Sequence, residues 1–427
     1  MINDRDHRAR CNLFVGSRTG WKGSSAEDKV SHVGGPMWKT FASLFFAVAV
    51  AMLGIGIIAP ILPVYVKTFS ASGLMVGIIM GAFSLSRGLL GPFIGRLSDR
   101  VGRKRILVAG LGIFALVSLC YSLAGNVWQL VLVRVIQGAA SVMVTPIAQG
   151  YVGDISPVGK EGQMMNLFYS SMFIGVGLGP LLGGALADLW SVHAAFAGMG
   201  ILSALSLLLV AMTVPVDHIQ SRTKKAEPIS QRPIVPLRQI AKNDAVKAIL
   251  VYVATRGFWR QGFNTFYPLF AGPVLGWSSL EIGYVMSGYF IAGGLFQIPF
   301  GFLADRWPRN PQIILGSFAA PLLLLLVPYV NSLAWVMVVV FSIGMLSAFS
   351  RASILAIRTE LGRTHGMATL AGLHGSAFAA GQMIGPMACG AAVDLFGITA
   401  AFPLGSLIGV LGSFAVIVWL RKAARTG

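Results

Sequence analysis

The segment GRLSDRVGRKR, Gly95 to Arg105, lies between two long apolar runs and holds one aspartate among five basic residues. A weaker copy, GFLADRWPR, runs from Gly301 to Arg309. Three residues of the first copy recur in the second at a shift of 206, from 95 to 301: Gly95, Asp99 and Arg100 become Gly301, Asp305 and Arg306. The chain therefore contains an internal duplication.

The same shift relates many other positions. It maps Gly77 onto Gly283, Gly138 onto Gly344, and the set Gly175, Gly179, Pro180, Gly184 and Asp188 onto Gly381, Gly385, Pro386, Gly390 and Asp394. So many matches at one offset indicate two homologous halves in the same orientation. Parallel repeats of this kind build transporters whose substrate site lies between the halves, near the bilayer midplane.

The composition places both halves in a membrane. Of 427 residues, 55% are hydrophobic and 11% are charged, whereas soluble domains carry about 25% charged residues. Apolar runs of spanning length predict twelve transmembrane helices, at 39–66, 74–94, 105–124, 128–151, 164–187, 193–214, 245–270, 281–303, 311–330, 333–355, 367–391 and 397–420. The predicted fold is an all-α polytopic membrane protein with two pseudo-symmetric six-helix bundles.

These runs divide the chain into five segments. The polar residues 1–36 predict a disordered tail, which a mis-assigned start at Met37 would also explain. The remaining segments are an N-terminal bundle at 37–214, a basic central loop at 215–244, a C-terminal bundle at 245–421 and a short tail at 422–427.

Lysine and arginine cluster in the loops on one side of the predicted bundle, which accounts for most of the net charge of +18. Cytoplasmic loops of membrane proteins carry this excess. We therefore expect an integral protein of the plasma (inner) membrane with both termini in the cytoplasm. No basic domain is left over for binding nucleic acid.

The two loop copies resemble the major facilitator superfamily, whose recurring loop is written G-x-L-a-D-r-x-G-r-[KR]. The resemblance covers the chain from Met37 onward and implies that the loop controls gating. The gating residues would be Gly95, Asp99, Arg100, Gly102, Arg103, Gly301, Asp305 and Arg306. Asp99 is expected to pair with Arg100, Arg103 or a facing helix N-terminus. The alternative is a basic loop that only determines topology.

The fourth predicted span carries a polar stripe at helical spacing: Arg134, Gln137, Ser141, Thr145 and Gln149. Arg134-x-x-Gln137-Gly138 resembles a motif of the superfamily in which the arginine is linked to proton coupling. An arginine that snorkels to the membrane surface is the alternative. Asp154 and His374 are further candidates for carrying the proton.

The fifth span reads GVGLGPLLGG and resembles the motif of superfamily exporters that exchange substrate for protons. The matching residues are Gly175, Gly179, Pro180, Gly183 and Gly184. Packing of small residues between helices is the alternative explanation.

A substrate cavity is predicted from polar residues inside the spans: Arg87, Gln137, Ser141, Tyr252, Arg256, Arg260 and Asn264. The first span has no acidic residue, so the cavity should be positive and favour anionic, zwitterionic or neutral amphipathic solutes over cations. The alternative places Arg256 near the cytoplasmic end and pairs Arg351 with Glu360 or Asp154.

These features predict a monomeric secondary transporter that works by alternating access and exports drug-like neutral or anionic solutes, driven by protons. An importer or exchanger of small organic anions is the alternative, and a membrane sensor or a channel is a weaker one. No phosphate-binding loop, metal-ligand cluster or nucleophile–base pair is evident in the sequence. We therefore expect no enzymatic activity, no metal and no cofactor other than the proton gradient.

Overall fold

Long apolar runs form long helices, since every backbone group within a membrane must find its partner inside the segment. The structure, a computed structural model, describes residues 34–157, 161–215, 240 and 243–426. The first half contains α1 (Gly34–Lys67), α2 (Gly73–Val101), α3 (Arg103–Leu123), α4 (Val127–Ile155), α5 (Glu161–Leu189) and α6 (Val192–Thr213). The second contains α7 (Asp244–Leu275), α8 (Ser279–Leu295), α9 (Gln297–Arg306), α10 (Arg309–Leu323), α11 (Leu333–His365), α12 (Met367–Phe396) and α13 (Ala401–Thr426).

Helices α8 and α9 form one rod with a break at Phe296. Pro299 cannot donate to the carbonyl of Leu295 and its ring crowds that carbonyl, which explains the break. A 3-10 helix, Leu324–Tyr329, continues α10 beyond Pro321. Within the described ranges the helices therefore make twelve rods, and this confirms the predicted all-α polytopic fold.

Ten of these rods are long and apolar enough to cross a membrane. The other two are α7, which carries Arg256 and Arg260, and α12, which is rich in glycine and alanine and carries His374. Helix α12 packs on α2 of the opposite half, and α7 also contacts α1.

Several predicted segment ends fall inside helices. Helix α1 begins at Gly34, within the segment predicted as a tail, and α13 continues to Thr426. Helix α7 begins at Asp244, the last residue of the predicted central loop. The rest of the N-terminal tail, 1–33, and most of the loop, 216–239, lie outside the described residues.

Small residues let α5 pack tightly on α1, which is the alternative explanation given for the motif in the fifth span. A Cβ added at Gly175, Gly179 or Gly183 would collide with the backbone of α1 at Ala49, Gly56 or Ile57. The second half repeats this packing between α12 and α7, where Gly381 and Gly385 meet Ala254 and Phe258. The duplication is thus preserved in the helix packing.

Two helix pairs join the halves: α2 packs on α12, and α5 packs on α8. Gly77 lies against the carbonyl of Pro386, and Gly283 lies against the carbonyl of Pro180. The 206-residue shift relates the two glycines to each other and the two prolines to each other. Any path for a solute between the halves must run between these two pairs.

Candidate substrate pathway

Two aspartates close the end of the molecule that is opposite the Gly95–Arg105 loop. The Asp188 carboxylate, at the end of α5, accepts hydrogen bonds from the backbone N–H groups of Ser279 (3.0 Å) and Leu280 (2.8 Å). Asp394, at the end of α12, accepts from Gly73 (2.5 Å) and Leu74 (2.8 Å). We call these pairs the carboxylate latches. Each latch puts a negative charge on the N-terminus of a helix in the other half, where the helix dipole favours it.

The halves separate towards the other end, which we call the basic end because it holds the Gly95–Arg105 loop. Along α2, Gly73, Gly77 and Gly81 contact the backbone of α12. Further along, a Cβ on Gly88 would only meet the Ala379 side chain, and one on Gly91 or Gly95 would meet nothing within 4 Å. The same open space surrounds Gly301, Gly372 and Gly375. The halves are therefore in contact near the latches and stand apart towards the basic end, which leaves a space between them there.

Four arginines come from both halves toward the centre, and we call Arg87, Arg256, Arg260 and Arg351 the arginine cluster. Arg260 interacts electrostatically with Arg256, Arg87 and Tyr289, and Arg351 interacts with Arg256 and Arg260. No carboxylate is among the groups that act on Arg260 or Arg351 in the described part of the chain. Like charges without a counter-ion repel one another.

Each arginine of the cluster has a different environment. Arg256 is 9% exposed, and its Nε has no hydrogen-bond partner among the described residues. The Arg260 guanidinium lies 5.4 Å from the ring centre of Phe290 on α8 and 5.8 Å from that of Phe378 on α12, and its Nε also lacks a partner. Arg351 is better satisfied, since it donates to Gln297 and to the Gly293 carbonyl.

These positions decide between the two interpretations of Arg351. The alternative that pairs Arg351 with Glu360 or Asp154 is wrong, because Gln297 and Gly293 take its donors and both acids have other partners. Two further predicted cavity residues lie on α7 beside the cluster. The Tyr252 hydroxyl is 2.8 Å from that of Ser350, while the buried Asn264 Oδ1 has no partner among the described residues.

His374 approaches the cluster from α12. Its imidazole interacts electrostatically with Arg358 and Arg256, and its Nδ1 is buried without a hydrogen-bond partner in the described residues. Among the three candidates for carrying a proton, His374 is the one that the structure places beside the arginine cluster.

Arg134 instead joins helices within the first half. It donates to Gln137 Oε1 at 2.9 Å, and to the carbonyls of Ile79 and Met80 on α2 at 3.4 and 3.5 Å. Gln137 also accepts from the Tyr121 hydroxyl at 2.7 Å. This network satisfies a buried guanidinium without a counter-ion, and it places Gln137 inside the first half. Ser141, one turn further along α4, is fully buried with no partner for its hydroxyl among the described residues.

Two ion pairs connect helices at the basic end. Arg103 pairs with Asp154 at 3.0 Å, and Arg309 pairs with Glu360 at 2.6 Å; the pairs are related by the 206-residue shift. The expected pairing of Asp99 with Arg103 is not made, because Arg103 reaches Asp154 across Gly150, and Asp99 is exposed. Asp154 is thus held by Arg103 at the basic end.

The loop motif forms a turn that needs glycine. Gly102 separates α2 from α3 with φ 103°, a conformation that L-residues avoid. The second copy has Pro308 at this position with φ −55°, so its turn takes a different path. Arg100 and Arg306 are exposed at the helix ends, and the side chain of Asp305 lies outside what the structure describes.

The family model of the Major Facilitator Superfamily matches residues 44–283 and 253–426 of the chain. This chain belongs to the major facilitator superfamily. The superfamily is one of membrane transporters, which agrees with a cavity lying between two homologous halves.

Individual relatives within the superfamily are distant but match over nearly their whole length. The chain is 30% identical over 394 residues to the quinolone resistance protein NorA of Staphylococcus aureus, and the matched region covers 91% of this chain and 98% of NorA. It is 25% identical over 389 residues to an uncharacterised MFS-type transporter of Methanocaldococcus jannaschii, covering 91% and 99%.

Solved structures of the superfamily have the same fold. A bacterial homologue of the human lysosomal transporter Spinster, in an inward-facing and occupied conformation, superposes with a TM-score of 0.75 at 18% identity over 91% of this chain and 96% of that one. The nucleoside transporter NupG gives a TM-score of 0.73 at 14% identity, covering 89% and 99%. At these identities the likeness concerns the fold alone.

Sequence reasoning missed the partners of the latches and the rings around Arg260. The 206-residue shift already related Asp188 to Asp394, and it also relates Gly73 and Leu74 to Ser279 and Leu280. Both aspartates end a predicted span and both residue pairs begin one, at the same side of the membrane, so the sequence could have indicated that each aspartate meets a helix N-terminus. Phe290 and Phe378 carried no comparable signal, because aromatic residues are common in apolar spans.

Proposed function

We propose that this protein is a secondary transporter that exports drug-like neutral or anionic amphipathic solutes in exchange for protons. It would lie in the plasma (inner) membrane as a monomer, with the basic end and both termini in the cytoplasm. The cavity would then load from the cytoplasm, and opening of the carboxylate latches would release the solute outside.

The observation that carries this proposal is the cavity between the halves, closed by the latches and open at the basic end. A site that is accessible from one side at a time is what alternating access requires. The resemblance of Gly175 to Gly184 to the motif of proton-exchanging exporters supports the direction, as does similarity to a protein named for quinolone resistance.

The charge of the cavity supports the choice of solute. The arginine cluster has no carboxylate among the groups acting on Arg260 and Arg351 in the described structure, so a cationic solute would be repelled. Aromatic rings from both sides of Arg260 offer contact to a flat apolar body. Neutral and anionic amphipathic molecules fit this combination.

Proton coupling is assigned to His374, ahead of Arg134 and Asp154. An imidazole can take up and release a proton, and the Nδ1 of this one is buried without a hydrogen-bond partner among the described residues. Exchange requires that the solute and the proton bind in alternation: the apolar body of a bound solute would dehydrate the imidazole and favour its neutral form, and release of the solute would let it take up a proton. The energy source would be the proton gradient, with no bound cofactor.

A second candidate function is an exchanger of small organic anions. It is favoured by the absence of a carboxylate among the groups acting on Arg260 and Arg351 in the described structure. A transporter that returned without a solute would move these arginines across the conformational change with their charge uncompensated. An exchanger avoids that step because it returns with a second anion bound.

Flux through proteoliposomes of the purified protein tests the proposal. Under a pH gradient, a proton-driven exporter moves a labelled quinolone or aryl acid against its concentration gradient, and His374→Gln loses this dependence on the proton gradient. An exchanger moves label only when unlabelled anion is present on the other side, whatever the pH gradient. Absence of both kinds of flux would rule out both functions.

A further inference from the structure

We infer that the arginine cluster is a binding site for one acid group on a ligand with a flat apolar body, a carboxylate, sulfonate or phosphate monoester. The inference rests on the proposed function for its biological meaning, but binding can be measured without transport. Its physical basis is the missing counter-charge among four arginines, with unpartnered Nε groups on Arg256 and Arg260.

The spacing of the arginines suits a single acid group. Arg256 and Arg260 are four residues apart on α7, so their Cβ atoms lie about 5–6 Å apart on one face. Guanidinium groups bind carboxylate and phosphate oxygens through paired hydrogen bonds. Arg87 approaches Arg260 from α2 in the other half. A bound acid group would therefore be attracted by arginines of both halves.

No acidic side chain of these helices can take that place. The nearest acid on α2 is Asp99, twelve residues or about 18 Å along the helix from Arg87. On α7 it is Asp244, again twelve residues from Arg256, and it pairs with Lys247 at 2.8 Å. On α11 it is Glu360, which pairs with Arg309. Among the described residues of these three helices no acid is left to neutralise the cluster, and the acid group of a ligand can supply the counter-charge.

The rings beside Arg260 indicate what the acid group is attached to. Phe290 and Phe378 approach the guanidinium from α8 and α12. Their remaining faces are available to an aromatic or other flat apolar body. An anionic lipid with an acid headgroup shares this chemistry, so the experiment includes one.

The test is equilibrium binding of radiolabelled 1-naphthoate to the purified full-length protein in a detergent with an uncharged headgroup. Competitors of matched size are methyl 1-naphthoate, which is neutral, and 1-naphthylmethylammonium, which is cationic. Dioctanoyl phosphatidate represents the lipid source. Variants are Arg256→Met, Arg260→Met, Arg260→Lys, and Arg421→Met as a control at an exposed arginine of α13.

We expect the acid to bind at least tenfold more tightly than the ester or the ammonium compound. Arg256→Met and Arg260→Met should each weaken binding at least tenfold, Arg260→Lys should restore part of it, and Arg421→Met should leave it unchanged. Displacement by phosphatidate at lower concentration than by unlabelled naphthoate would identify the lipid as the preferred source of the acid group.

Equal binding of acid and ester, no effect of Arg256→Met and Arg260→Met, or no binding of either naphthoate or phosphatidate would overturn the inference. Failure of the proposed function looks different: the acid binds but no flux occurs in proteoliposomes. Conversely, proton-driven flux of the ester without binding of the acid would retain the exporter and reject the acid-group site.

Discussion

At the scale of single residues, the backbone conformation at Gly102 explains why the loop motif contains a glycine between two helices. The turn from α2 into α3 requires φ 103° and ψ 140° at this position. Only glycine adopts that conformation without strain. This turn places Arg103 at the start of α3, where its side chain reaches Asp154 of α4.

Replacement of Gly102 by alanine should therefore destabilise the protein by about 1–3 kcal/mol. The measurement is the thermal unfolding midpoint in detergent, followed by tryptophan fluorescence. Gly95→Ala is the matched control, since a Cβ there enters open space on a helix and should be neutral or stabilising by about 0.5–1 kcal/mol. Equal losses at both positions would show that the conformation of Gly102 is not the reason for its presence.

Gly179 illustrates a second role of glycine, close approach of two helices. A Cβ there would lie 2.5 Å from the Gly56 Cα, and its three nearest atoms all belong to the backbone of α1. Gly179→Ala should force α1 and α5 apart and cost about 1–3 kcal/mol, seen as a lower unfolding midpoint. Gly177→Ala is the control, because a Cβ there meets the Ile291 side chain at 3.1 Å and comes no closer than 3.9 Å to the backbone of another helix, at the Ile291 N. A larger loss at Gly177 than at Gly179 would contradict this account.

At the scale of helices, the carboxylate latches explain how the end opposite the loop motif closes. Each latch joins the C-terminal end of one helix to the N-terminus of a helix in the other half. Ser287 adds a third link where its hydroxyl accepts from the Leu181 N–H, a donor just beyond Pro180. The closed end thus depends on a few polar contacts set between glycine-rich helix faces.

Removal of the latch charges should open this end. Asp188→Asn and Asp394→Asn each lose a charged acceptor worth about 1–2 kcal/mol, which corresponds to a shift in population of about 5- to 30-fold. Spin labels at Asn126 and Ser332, in a background without native cysteines, report the distance across this end. We expect a longer-distance population in each variant and more of it in the double variant.

Asp244→Asn is the control for this experiment. Asp244 also lies in the first turn of a helix, but its partner Lys247 is in the same helix, so no contact between the halves is lost. An unchanged distance distribution in the double latch variant would mean that the glycine packing alone keeps this end closed.

The helix positions could be predicted from apolar runs, and the duplication could be predicted from the constant shift that relates Gly95 to Gly301. Both signals can be found in the sequence without knowing which helices are neighbours. The surroundings of the polar residues could not. Arg134 satisfies its donors on the carbonyls of Ile79 and Met80, which lie on a helix about fifty residues away. Arg103 prefers Asp154 to the nearby Asp99 because the turn at Gly102 directs it across Gly150. Such choices depend on which helices become neighbours.

At the scale of the whole molecule, the duplication makes the latches reciprocal. Each half contributes one aspartate and one receiving helix N-terminus, so neither half can swing away without breaking both contacts. The basic end has no equivalent link between the halves among the described residues: its repeat-related ion pairs, Arg103–Asp154 and Arg309–Glu360, each lie within one half. Opening of one end and closing of the other therefore break and make different contacts.

The direction of transport depends on which side of the membrane the basic end faces. Lys and Arg gather at this end in the Gly95–Arg105 loop, at Arg306 and Arg309, and at Arg421 and Lys422, and such loops stay in the cytoplasm. Green fluorescent protein fused after residue 426 should therefore fluoresce, and alkaline phosphatase fused there should be inactive. The same reporters placed after Asn331, between α10 and α11, should give the opposite pattern. The reverse result would put the mouth of the cavity outside the cell, and the same arginine cluster would then serve uptake instead of export.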